Sequence, residues 1–126
     1  MRLFIADADP VLRVSLQIRL HEEPGMNVTG MAVQTNGLLA QLEASRPDVL
    51  LLDWQLPGAS VEELLDQIKA LESPTKIIVL SVRPEGEKLA LAAGADGFIC
   101  MNEPPDELLE MVRWLRDSSS SGIGGS

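Results

Sequence analysis

The chain has 126 residues, 45% of them hydrophobic, which is enough for one domain with a core of its own. Ten basic residues against nineteen acidic ones leave a formal charge of −9 and a pI near 4.4; this argues against direct contact with nucleic acid and leaves a divalent cation or a basic partner protein open. A single cysteine, Cys100, excludes an internal disulfide framework and suits a reducing compartment, and no apolar run approaches the roughly 18 residues of a membrane helix, so a soluble cytoplasmic protein is expected.

The first apolar run, Leu3 to Ala6, reads as a short strand, and Asp7 breaks it too early for a secretory signal. Asp9 followed by Pro10 places an N-cap before a helix that should reach about Glu23, ahead of the turn pair Pro24-Gly25. Met26 to Val33 reads as a second strand, and Thr35-Asn36-Gly37 introduces a helix through about Ser45. Val49 to Asp53 is an apolar strand that ends on a carboxylate and is followed at once by loop residues, the signature of a strand buried on both faces. Asp53 either starts a turn or belongs to a site, since ligands of open α/β sheets bind at the carboxyl ends of strands.

Ser60 with Glu63 three residues on predicts a capped helix over Val61 to Leu71, broken by Ser73-Pro74. Ile77 to Leu80 is another apolar strand, ending at Ser81; Pro84 to Ala93 is a short helix closed by Gly94; Gly97 to Cys100 is a last strand. Pro104-Pro105 leads into a helix from Asp106 to about Asp117, where Leu108, Leu109, Val112 and Leu115 form a core stripe and Met111 and Trp114 fall on a neighbouring face. Strands alternating with helices predict a doubly wound α/β sandwich, a parallel five-stranded sheet ordered 2-1-3-4-5. Residues 1–117 would form the domain, and 118–126, rich in Ser and Gly, a flexible linker or tail.

In that order the first and third strands are neighbours, so Asp7 and Asp53 would share a pocket, with the Ser81 hydroxyl on the adjoining strand. Two carboxylates brought together repel unless a cation offsets them, and hard oxygen ligands suit Mg²⁺. Carboxylates can also act as nucleophiles toward phosphate, and Ser81 could donate to an oxyanion carried by Asp53. His21 beside Glu22 and Glu23 reads as a solvated residue, Cys100 as a small buried hydrophobe, and Trp54 as either a wall of the pocket or a loop aromatic.

Ile5-Ala6-Asp7 with Pro10, Pro47-Asp48 through Pro57-Gly58, Val79-Leu80-Ser81 and Gly94-Ala95-Asp96-Gly97-Phe98 together resemble the receiver domain of bacterial two-component response regulators, across residues 2–117. The Asp-Gly-Phe and double-Pro segments are most similar to regulators with a helix-turn-helix output. The resemblance implies the flavodoxin-like (βα)5 fold, no enzyme activity of its own, and phosphorelay signalling that controls transcription through a C-terminal DNA-binding domain. It makes Asp53 the phosphoacceptor, Asp7 an acid of the metal pocket, the Gln55 main-chain carbonyl a Mg²⁺ ligand, Ser81 the phosphate-sensing hydroxyl and Phe98 the aromatic switch. A sensor histidine kinase is the implied partner.

Two positions depart from the family pattern. Ala8 stands where a second acid is expected, and Met101 where a lysine would meet the phosphoryl oxygens; Asp9, one residue on, is accounted for as an N-cap. Weak Mg²⁺ binding and slow or absent phosphoryl uptake are therefore expected. The alternative is a pseudo-receiver that works through protein contacts, and more remotely a small phosphatase or flavin-binding protein. Met111 and Trp114 predict a homodimer built on the last helix.

Overall fold

In the computed structural model of the chain the described residues are 1–71, 75–101 and 106–125, those from 119 on by backbone alone. The predicted helix break at Ser73-Pro74 and the Pro104-Pro105 lead into the last helix lie outside them. The strands are β1 (Arg2–Ala6), β2 (Asn27–Ala32), β3 (Val49–Asp53), β4 (Lys76–Ser81) and β5 (Gly97–Cys100), all parallel, in the order β2-β1-β3-β4-β5. The helices are α1 (Pro10–His21), α2 (Leu38–Ser45), α3 (Val61–Lys69), α4 (Glu87–Ala92) and α5 (Asp106–Gly125).

Alternation along the strands divides the core in two. Leu3, Ile5, Val49, Leu51, Ile78 and Leu80 face one side, covered by Leu16 and Leu20 of α1 and by Leu108, Leu109 and Val112 of α5. Phe4, Ala6, Leu50, Leu52, Ile77 and Val79 face the other, covered by Leu38 and Leu42 of α2, Leu64, Leu65 and Ile68 of α3, and Ala90 of α4. Because both faces are covered, β3 has no polar alternation until Asp53, where the strand leaves the core. Burial of each such leucine stabilises the fold by about 1.5–3 kcal/mol.

The caps behave largely as the residues dictate. Asp9 Oδ1 accepts from the N–H groups of Val11 (3.0 Å) and Leu12 (3.4 Å), which starts α1, and Ser60 Oγ accepts from the Glu63 N–H at 3.5 Å. Asp96 ties the chain before β5 to the start of β4, since its Oδ2 accepts from the Ile77 N–H (2.8 Å) and from Lys69 Nζ (2.9 Å). Arg113 Nε donates to Glu23 Oε2 at 3.0 Å and joins α5 to the chain after α1.

Several predicted boundaries move. α1 closes at His21 and α3 at Lys69, each two residues short of expectation, because the last residues bond in tighter turns: Glu23 N–H donates to Leu20 O and Leu71 N–H to Ile68 O. The segment Pro84–Gly86 is a 3-10 turn rather than the start of α4. α5 passes Asp117 and runs on to Gly125: once a helix is nucleated each added residue gains a backbone bond, and the serine run holds no proline to stop it.

Candidate functional site

β1 and β3 lie side by side in register, Ala6 opposite Leu52, so the next residue of each strand, Asp7 and Asp53, emerges at the same end of the sheet. Around them is an open cleft of about 280 Å³ lined by Asp7, Ala8, Asp9, Leu12, Asp53, Gln55, Leu80, Ser81, Val82 and Met101. The sheet order expected from sequence thus brings Asp7, Asp53, Gln55 and Ser81 together.

Asp7 is only 3% exposed. Its N–H continues the β1–β2 ladder to Ala32 O (3.0 Å), and its Oδ1 accepts from the Asp9 N–H at 2.8 Å. Burial pushes its carboxyl up to about 6; the bond from Asp9 opposes this, and the charges of Asp53 and Asp9 reinforce it. Arg13 Nη1 donates to Asp7 O (2.8 Å), and its charge acts in the opposite sense on the carboxyl. Asp53 is half-buried and also raised by burial, a shift opposed by the N–H groups of Gln55 and Ala8. The Gln55 N–H donates to Asp53 Oδ1 at 2.9 Å and the Leu56 N–H to Asp53 O at 3.1 Å, so the carboxylate sits on a tight turn directly after β3.

Ser81, 6% exposed, closes the far side. Its Oγ accepts from the Arg83 N–H (3.0 Å) and donates to Arg83 O (3.3 Å), which folds the turn after β4 and directs the hydroxyl into local bonds; the cleft is still within its reach. Met101 lines the same cleft, its N–H donating to Ser81 O at 2.7 Å, so a thioether stands where a lysine was expected. Asp9 also borders the cleft, but its Oδ1 is committed to the start of α1.

The donor set available to a cation is therefore two carboxylates and the peptide groups of the Gln55 turn. Burial raises both acids, and the charge of Asp9 adds to it on each and that of Asp53 on Asp7; a cation relieves this state, and Mg²⁺ commonly keeps several waters and takes only one or two carboxylates. The residues fit such a water-rich, weak site. Among the described residues no cluster of three or more His, Cys, Asp or Glu is arranged to hold a metal.

Other candidates fall outside the cleft. Phe98 is buried on the α2–α4 side of the sheet. A Cβ placed on Gly86 would lie 3.5 Å from the Trp54 indole and 3.9 Å from the Phe98 ring, so Trp54 is half-buried against the 3-10 turn rather than a cleft wall. On α5, Met111 and Trp114 separate: a Cβ on Gly97 would lie 2.8 Å from Met111 Sδ, which places Met111 on β5, whereas Trp114 is 65% exposed. His21 is exposed, and Cys100 is partly buried at the end of β5.

Two contributors were not legible. Arg13, which no sequence motif singles out, holds the Asp7 carbonyl. Thr35 read as part of a helix introduction, but Gly37, at φ 78°, occupies the cap position and the Thr35 side chain reaches instead to the loop after β3. A buried threonine in a Thr-Asn-Gly turn carries no local mark of a contact 24 residues away.

A family model described as the response regulator receiver domain matches residues 3–113. The chain is 30% identical over 112 residues to the nitrate/nitrite response regulator protein NarL of Escherichia coli K12, a match covering 87% of this chain and 52% of NarL. It spans about half the length of the curated relatives it matches. Among solved structures it is similar to the signal receiver domain of a response regulator NarL from Mycobacterium tuberculosis, with TM-score 0.79, 28% identity and coverage of 88% of this chain and 91% of that one. The isolated receiver domain of RcsB from Salmonella enterica shares the fold, with TM-score 0.84 at 24% identity and coverage of 93% and 88%.

Proposed function

The chain belongs to the response regulator receiver domain family, a family of signalling modules, and from that premise we propose that Asp53 is its phosphoacceptor. The observation that carries this reading is the setting of Asp53: the end of a fully apolar central strand, half-buried, beside Asp7, with one oxygen held by the Gln55 N–H. In transfer from a phosphohistidine, an Asp53 oxygen forms the new P–O bond as the P–N bond breaks, and the departing imidazole takes up a proton. Peptide N–H groups of Gln55 and Ala8 orient the carboxylate, and the buried floor of the cleft limits its hydration. Asp7, Asp53 and the Gln55 carbonyl would hold Mg²⁺, which when bound supplies positive charge to the transferring group. Ala8 contributes no carboxylate and Met101 no ammonium, so uptake is slow.

In the full-length protein this segment would receive phosphate from a sensor histidine kinase and pass the signal, through Phe98 and the extended α5, to a C-terminal DNA-binding domain that controls transcription. The exposed indole of Trp114 would anchor a homodimer, with Met111 supporting it from the β5 side.

Intact-mass measurement after incubation with acetyl phosphate and Mg²⁺ tests the central point. Slow, partial addition of one phosphoryl group to the wild type and none to Asp53→Asn is expected. Equal addition to both proteins, or none to either at saturating donor, would overturn it.

A further inference from the structure

The turn after Asp53 is held from a distance. Thr35, between β2 and α2 and 8% exposed, makes two bonds to the loop that follows β3. Its N–H donates to Pro57 O at 2.9 Å, and its Oγ1 accepts from the Ala59 N–H at 2.7 Å. Gly58 lies between these two points at φ +119°, and a Cβ there would stand 2.1 Å from Thr35 Oγ1. Only glycine permits this approach, because a side chain would meet both a strained backbone and the hydroxyl. The loop is thus pinned at both ends: Gln55 and Leu56 bond back to Asp53, and Pro57 and Ala59 bond across to Thr35. The two sets adjoin with no residue between them, and Leu56, at the junction, is buried in the α2–α4 core.

We propose that Thr35 is a positioning residue of the Asp53 cleft: by clasping Pro57–Ala59 it fixes the β3–α3 loop, and through it the Gln55 peptide that holds Asp53 and borders the cleft. The chain lacks an acid at position 8 and a lysine at position 101, so the Gln55 turn carries a larger share of what orients the carboxylate. A loop free to swing would carry Gln55 away from Asp53, and misplacements of about 1 Å can cost on the order of a hundredfold in rate. The role of Gln55 in phosphoryl uptake rests on the reading of Asp53 as phosphoacceptor; the mechanical link from Thr35 to Gln55 does not.

Thr35→Val removes the hydroxyl at nearly constant shape, and Thr35→Ser restores it. Two readouts separate the claims. The first is the Gln55 amide, followed by NMR as proton shift and hydrogen exchange, with α5 amides as the measure of global stability. In Thr35→Val the Gln55 N–H should move upfield as its bond to a charged acceptor weakens and should exchange at least about fivefold faster at unchanged α5 protection, with Thr35→Ser close to wild type. The second is phosphoryl uptake from acetyl phosphate, expected to slow about tenfold in Thr35→Val and to recover in Thr35→Ser. Acceleration confined to Ala59, with Gln55 unchanged, would overturn the proposal and leave Thr35 as a local clasp. A wild type that takes up no phosphate would overturn the Asp53 reading, and the Gln55 amide would still decide the role of Thr35. Should Thr35→Val fail to fold, Thr35→Ala removes the same acceptor without adding volume and is judged by the same two measurements.

Discussion

Asp7 should make the protein less stable as pH rises, and Asp7→Asn should reverse this. The Asp7 carboxyl is raised from 3.8 to about 6, so between those values the folded state binds more protons than the unfolded chain. Stability is then full below the unfolded value, falls as pH rises through this window, and is level above it. With roughly 1.36 kcal/mol per pH unit, the loss amounts to about 1 kcal/mol at pH 4.5 and about 3 kcal/mol at pH 8. The groups that act on Asp7 are Asp53 and Asp9, which disfavour its charge, and Arg13, which favours it. Asparagine keeps an oxygen for the Asp9 N–H and carries no charge to desolvate. Its stabilisation over wild type should therefore be about 2 kcal/mol larger at pH 8 than at pH 4.5. Urea unfolding of both proteins at the two pH values, with chelator present, gives the comparison. A pH-independent difference between them, or a wild type that gains stability from pH 4.5 to 8 relative to Asp7→Asn, would refute the reasoning. Mg²⁺ added at pH 8 should recover part of the lost stability in the wild type alone, since it binds the charged pair.

Ala8→Asp should tighten Mg²⁺ binding at least about tenfold, because it restores a carboxylate to a donor set that holds two; titration against Trp54 fluorescence measures it, and an unchanged affinity would mean the cleft cannot seat a third acid. Trp114→Ala should weaken self-association by about 2 kcal/mol or more, with or without acetyl phosphate, and sedimentation of both proteins decides it: a monomeric wild type, or a dimer indifferent to the change, removes Trp114 as an anchor.

What the sequence revealed, it revealed through local rules. Val49–Leu52 of β3 and Ile77–Leu80 of β4 are unbroken apolar runs bounded by turns, and that pattern has one common use, a parallel strand covered on both faces. Asp9-Pro10 and Ser60 are caps whose partners lie two or three residues away, so their role is written in their neighbours. The meeting of Asp7 and Asp53 followed as soon as the strand order was fixed, because register does the rest. Helix ends apart, the deciding contact is remote where expectation and structure part. Helix ends shifted by a tighter last turn, and the paired reading of Met111 and Trp114 failed to separate them because helical spacing cannot say which residue a glycine on β5 will admit.

That glycine shows how the two kinds of information combine. Gly97 was legible as part of a family-like Gly-Ala-Asp-Gly-Phe segment, and Met111 as an apolar residue beside a core stripe; only the fold shows that the absent Cβ of one is the space filled by the sulfur of the other. Gly58 and Thr35 are related in the same way, across a gap where the missing Cβ admits a hydroxyl. In both cases glycine marks a place where the chain is approached closely, and the approaching atom lies on an element the local pattern does not name. For the cleft this matters directly. The residues that would do its chemistry end their own strands and can be found one at a time, whereas those that hold them in place come from loops beside other strands and become visible only once the sheet is assembled.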